Sequence, residues 1–90
     1  MDILVVLKAL ADKTRLKILN MLLKHDYCVK ALSRKLGLSE AAISQHLKVL
    51  REAGLLVGEK KGYYMHYKVD RDVLYKLSSM IDELAKLEGN

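Results

Sequence analysis

Residues 32–50, LSRKLGLSEAAISQHLKVL, decide the fold. Leu32, Leu36, Leu38, Ile43, Leu47 and Leu50 recur at spacings that bury one side of each of two short helices against a common core. Gly37 supplies the turn between them, and Ser33 is small where the two helices must approach closely. Ser39 is placed to cap the second helix by accepting a backbone N–H. On that helix Glu40, Ala41, Ser44, Gln45 and Lys48 are left facing outward. Small, amide, hydroxyl and basic side chains of this kind can approach a groove and meet base edges or phosphates. The stretch therefore reads as a helix-turn-helix, the motif whose second helix enters the major groove. Two amphipathic helices around a glycine also occur in small helical domains of other kinds, so the leucines alone do not establish that reading. The polar spelling adds to it. Residues 39–46, SEAAISQH, keep their outer face, Glu40 apart, small and uncharged for a whole turn, where an ordinary solvated helix shows Glu and Lys pairs.

Composition points the same way. Ninety residues suffice for one domain with a modest core, and an apolar share of 51% is high for that size, which implies burial against another chain. A net charge of +5 suggests a polyanionic partner, nucleic acid being the commonest. The charge is +3 over residues 1–25, +3 over 26–62 and −1 over 63–90, so the basic excess avoids the C-terminal region. A single cysteine excludes an intramolecular disulfide. Met1 is followed at once by Asp2 without a charged n-region, and no apolar run is long enough for a bilayer. The expectation is a cytoplasmic protein without a membrane partner. Proline, Gly/Ser-rich linkers and internal repeats are absent, so residues 1–90 read as one domain.

Working outward, residues 3–10, ILVVLKAL, are too apolar for one face of a surface helix in a monomer. Ile3, Leu4, Val6, Leu7 and Leu10 cover one stripe, and Val5 widens it. Asp12 starts a second helix with Leu16, Leu19, Leu22 and Leu23 inward, Lys13, Arg15, Lys17 and Lys24 mostly outward, and Ile18 and Met21 broadening the buried arc. Tyr27, Cys28 and Val29 suggest a minimal edge strand, followed by the first helix of the motif over residues 30–36. Gly54 stops the second motif helix. Residues 55–69 then read as a two-stranded ribbon with a polar tip, GEKKG, where Lys60 and Lys61 are suited to phosphate contact. In residues 71–88, Val73, Leu77, Met80, Leu84 and Leu87 recur at spacings of 4, 3, 4 and 3, a coiled-coil period.

The predicted architecture is mainly α with a small β-hairpin wing, a winged helix-turn-helix. The motif lies at residues 30–53 and the wing at 55–69, with dimerisation through residues 2–10 and 71–88. Ile3, Leu4, Leu7, Val73, Leu77, Met80, Leu84 and Leu87 are the candidate dimer residues. The competing reading is that the last helix only closes the protomer's own core.

Three segments together, LKALADKTRLKIL near the start, LGLSEAAISQHLKVLREAGLL across the motif and GEKKGYYMHYKV in the wing, resemble the ArsR/SmtB family of winged-helix repressors over almost the whole chain. The resemblance implies a homodimer on a roughly palindromic operator, released on sensing a metal ion, a metalloid or an oxidising sulfur species. It places DNA reading at Ala41, Ser44, Gln45 and His46, with Lys48, Lys60 and Lys61 on the backbone; Ser39 and Glu40 complete the candidate DNA-binding set. Gln45 has the chemistry for a base, since an amide binds adenine through two hydrogen bonds. His46 neighbours Leu47 and is equally placed to pack at the helix edge.

The sensor positions depart from the family pattern. Where many metal-sensing relatives carry CVC, this chain has Cys28, Val29 and Lys30, and a lysine opposes cation binding. His25 and Cys28 offer two ligands at most. The positions matching the zinc-sensing pattern on the last helix are Asp70, Asp72, Glu83 and Lys86, which contain no imidazole and one cation. Asp70 as a helix cap and Asp72 near the positive helix end account for those acids. No metal and no cofactor are therefore expected, and the inducer is unassigned. Cys28 is a candidate thiol sensor or simply a buried thiol. Three scattered histidines and one cysteine give no nucleophile with a base at recognisable spacing, so the chain does not read as an enzyme. The alternative to a DNA-binding regulator is a winged-helix module that binds another protein without operator specificity.

Overall fold

The computed structural model describes residues 1–89. Helix α1 (Ile3–Leu10) starts where the Asp2 carboxylate accepts from the backbone N–H groups of Leu4 and Val5. Helix α2 (Lys13–Lys24) begins the same way, with the Asp12 carboxylate accepting from the Arg15 N–H at 2.8 Å. Helix α3 (Val29–Leu36) ends at Gly37, whose φ of 68° is the left-handed conformation that lets the chain turn into helix α4 (Glu40–Glu52). The Ser33 hydroxyl donates to the Leu38 carbonyl across this turn, and Ser39 Oγ accepts from the Ala42 N–H at 3.1 Å to cap α4. Strands β1 (Leu56–Lys61) and β2 (Tyr64–Val69) form one antiparallel hairpin, from Leu56 opposite Val69 to Lys61 opposite Tyr64. Helix α5 (Arg71–Lys86) follows, capped by Asp70, which accepts from the Asp72 N–H.

One core joins these elements. Val6 and Ala9 of α1, Ile18, Leu19 and Leu22 of α2, and Leu32 of α3 meet Ile43, Leu47 and Leu50 of α4. Leu55 and Leu56 extend it under the wing, and Leu77 is the buried contribution of α5. Among the described residues no polar or charged side chain is buried. Beyond Leu77 the last helix carries exposed Met80, Ile81 and Leu84, so it lies largely outside the core it grows from.

Five local expectations are corrected. Leu16 is half exposed while Ile18 is fully buried, because the inward arc of α2 runs through Ile18, Leu19 and Leu22. Arg15, expected mostly outward, turns back on α1. The pieces expected as an edge strand divide differently: Val29 already belongs to α3, and Cys28 alone makes a single bridge to His66. In the wing, residues 58–61 lie within β1 and the turn falls at Gly62 and Tyr63, with Gly62 at φ 65°. Lys60 and Lys61 are therefore strand residues rather than tip residues. Finally, α5 stops at Lys86, where Leu87 turns extended (φ −62°, ψ 134°), two residues short of the expected end.

Candidate DNA-binding face

The periodicity of α4 divides its side chains. Ile43, Leu47 and Leu50 are buried, whereas Glu40, Ala41, Ser44, Gln45 and Lys48 are exposed on the opposite side. Ser39 holds the N-terminus of this helix, and Glu40 in its first turn is favourable to the helix dipole. Lys48 lies 4.0 Å from Glu52 in a solvent-exposed i,i+4 pair, at the outer limit of an ion-pair distance. The exposed face therefore joins small residues, one amide and one cation on a rigid helix.

His46 does not share that face. It is half-buried, with Nδ1 4.0 Å from Asp12 Oδ2, against the start of α2. Asp12 is thus held by two neighbours, Arg15 and His46. The Arg15 N–H hydrogen bond keeps its carboxyl below the usual carboxylate range, partial burial opposes this, and the positive charges of Arg15 and His46 add to the lowering. Arg15 in turn donates from its guanidinium to the carbonyls of Ala9 (2.6 Å) and Lys8 (3.1 Å). A polar chain runs from the end of α1 through Arg15 and Asp12 to His46 on α4.

The wing is tied to the body by another carboxylate. Asp26, between α2 and α3, has Oδ1 2.9 Å from His66 Nδ1 on β2 and Oδ2 3.6 Å from Lys61 Nζ on β1. The His66 hydrogen bond is the main reason the Asp26 carboxyl stays below its usual value; partial desolvation works against it, and the His66 and Lys61 charges assist. Lys60 makes no ion pair among the described residues. At the turn, Tyr63 is 98% exposed and Tyr64 is 62% exposed. Sequence reasoning singled out neither Asp26 nor Arg15 as structural, since their partners lie in other elements.

The candidate dimer residues divide three ways. Leu4, Leu7, Met80, Leu84 and Leu87 are exposed; Ile3 and Val73 are half-buried; Leu77 is 7% exposed and packed by its own protomer. Ile3, Met80, Leu84 and Leu87 line one apolar recess of about 380 Å³ between α1 and α5, with Glu83 at its edge. Cys28 is half-buried at the N-cap of α3, with a free thiol and no side-chain capping bond. Among the described residues no group of three or more His, Cys, Asp or Glu side chains is arranged to hold a metal ion. Among the described residues no helix is long and apolar enough to cross a membrane.

Four helices, a hairpin and an α4 with an exposed polar face define a winged helix-turn-helix of the kind used by DNA-binding transcription regulators. Residues 12–57 match the family model for bacterial regulatory proteins of the arsR family. Relatives agree with this. The arsenical resistance operon repressor of Escherichia coli K12 is 39% identical over 82 residues, covering 90% of this chain and 70% of the repressor. The structure of an ArsR-like transcriptional regulator from Rhodococcus sp. RHA1 superposes with a TM-score of 0.85 at 30% identity, over 92% of this chain and 78% of that one. The homodimeric winged helix-turn-helix DNA-binding domain Mb0332 of Mycobacterium bovis, solved in solution, gives a TM-score of 0.74 at 28% identity, over 93% and 80%. The chain belongs to the arsR family of bacterial transcription regulators. It spans 61%, 64% and 70% of the length of three of its curated relatives.

Proposed function

We propose that the chain acts in the cytoplasm as a homodimeric repressor, reading a two-fold symmetric operator through paired α4 helices. The carrying observation is the exposed face of α4, where Ser44 and Gln45 stand beside Ala41 and Lys48 while the opposite side is fixed in the core. Gln45 is assigned to a base, and Lys48 and Lys60 to phosphates. Ser39 and Glu40 sit where the helix N-terminus meets the backbone. His46, turned toward Asp12, is assigned to holding α4 rather than to reading bases. The apolar exposure of Leu4, Leu7, Met80, Leu84 and Leu87 supports a dimer through α1 and α5, a patch that water would otherwise cover at a cost in free energy.

The test is footprinting on the DNA upstream of the protein's own gene. A symmetric protected site is expected, with half-sites about 10 base pairs apart or a multiple of that. Protection of every sequence alike, or of none, would overturn the proposal. For release, the chain offers one thiol, Cys28. Its role as the sensor is tested by oxidising the reduced, metal-free protein on that site: release of the wild type but not of Cys28→Ser assigns the switch to the thiol. No catalytic role is assigned.

A further inference from the structure

Two adjacent lysines on β1 have different surroundings. Side chains alternate between the faces of a strand, so Glu59 and Lys61 share one face with His66 and Tyr64 across the hairpin, while Lys60 shares the other with Met65. The first face turns toward the corner between α2 and α3. There Asp26 receives both strands at once, His66 Nδ1 at 2.9 Å and Lys61 Nζ at 3.6 Å, and the backbone of Cys28 bridges to His66 beside them. His66 is 26% exposed and Lys61 51%, so the imidazole is the inner of the two contacts.

We infer that Asp26 is the positioning residue of the wing: it holds β2 through His66 and commits Lys61 to the protein's own body, leaving Lys60 as the cation on the hairpin's other face, free for phosphate. This rests on the DNA-binding reading proposed above, and it refines it. A two-stranded hairpin has little stability by itself, so its angle to α4 depends on what it is docked against. The core fixes its base at Leu55 and Leu56, and Asp26 fixes it further out. A lysine already paired with a carboxylate has less to gain from a phosphate, because that pairing must be broken first. Removal of Asp26 therefore does two separable things: it loosens the hairpin, and it releases Lys61 toward DNA.

The first consequence is read on the DNA-free protein, whatever its operator. In Asp26→Ala, amide hydrogen exchange of β1 and β2 is expected to rise by about two- to five-fold, the range for a partly exposed charged pair, while exchange in α4 stays as in wild type. Unchanged exchange in the hairpin would overturn the positioning role. The second is read from the salt dependence of DNA affinity, whose slope counts phosphate contacts at about one per contact. Lys61→Gln in the wild-type background is expected to leave the slope unchanged, whereas in Asp26→Ala it lowers the slope by about one. An equal drop in both backgrounds would show that Lys61 already contacts phosphate and would overturn its commitment to Asp26. Failure of the wild type to bind any duplex would refute the DNA-binding reading, and the exchange result would still decide whether Asp26 holds the wing.

Discussion

Arg15 Nε donates to the carbonyl of Ala9 at 2.6 Å, and the same guanidinium reaches the carbonyl of Lys8, so α2 closes the open end of α1. Helix α1 has only eight residues and would be marginal alone, because nucleation costs more than so few hydrogen bonds return. Its docking therefore relies on Val6 and Ala9 in the core and on this guanidinium. Arg15→Ala is expected to destabilise the protein by about 2 kcal/mol in urea unfolding, as for hydrogen bonds from a charged donor. Lysine should not restore it, since an ammonium lacks the planar fork that reaches two carbonyls. A loss below about 0.5 kcal/mol, the scale of an ordinary surface change, would contradict this account.

Ser39 begins the recognition helix. Its hydroxyl satisfies the Ala42 N–H, which would otherwise lack a partner inside the helix. Ser39→Ala is expected to cost about 1 kcal/mol, and Ser39→Asn to recover most of it, because asparagine caps as well as serine does. Thermal unfolding of the three proteins side by side checks this; equal midpoints for serine and alanine would remove the cap from the account.

Asp12 and Asp26 both have carboxyls held below their usual range, so both stabilise the fold in their ionised form. For a lowered carboxyl the stabilisation is complete above the unfolded value near 3.8 and is lost as pH falls through the lower folded value. Asp12→Asn keeps a capping oxygen and removes the charge. Wild type should therefore exceed Asp12→Asn in stability at about pH 5, with the gap closing as pH falls toward about 2. Unfolding curves at a series of pH values check this, and a gap that widened on acidification would contradict the sign.

Gln45 is the base-reading residue in this account. Gln45→Ala should weaken binding to the operator by about 1–3 kcal/mol and leave binding to unrelated duplex nearly unchanged, the signature of a lost direct contact. Competition titrations with both duplexes measure the two numbers together. Equal weakening on both would place Gln45 on the backbone instead.

The centre of the fold was legible because its signals are local. Leucine spacing set the buried sides of α3 and α4, Gly37 set the turn and Ser39 set the cap, each within a few residues of its partner. Spacing alone turns Leu16 inward, because Leu16 and Ile18 are both apolar at the two edges of one helical arc, and packing between elements decides which of them is buried. The wing turn lies later than its sequence suggests for a related reason. Gly58 and Gly62 both flank the lysines, and the positive φ that picks Gly62 is not written in its identity. The Asp26 docking site was invisible, since its partners lie 35 and 40 residues away and each alone is an ordinary surface charge. Leu77 fits the heptad of α5 as well as Leu84 does, yet the first enters the protomer's core and the second stays exposed.

The central claim is that the α4 face reads sequence as part of a dimer. The direct measurement is the affinity of reduced protein for the footprinted operator and for a scrambled duplex of equal length, at one fixed salt concentration. The account predicts that the operator is bound at least about 1,000-fold more tightly, with two chains per duplex. Equal affinity for both duplexes, or a single chain bound, would contradict it.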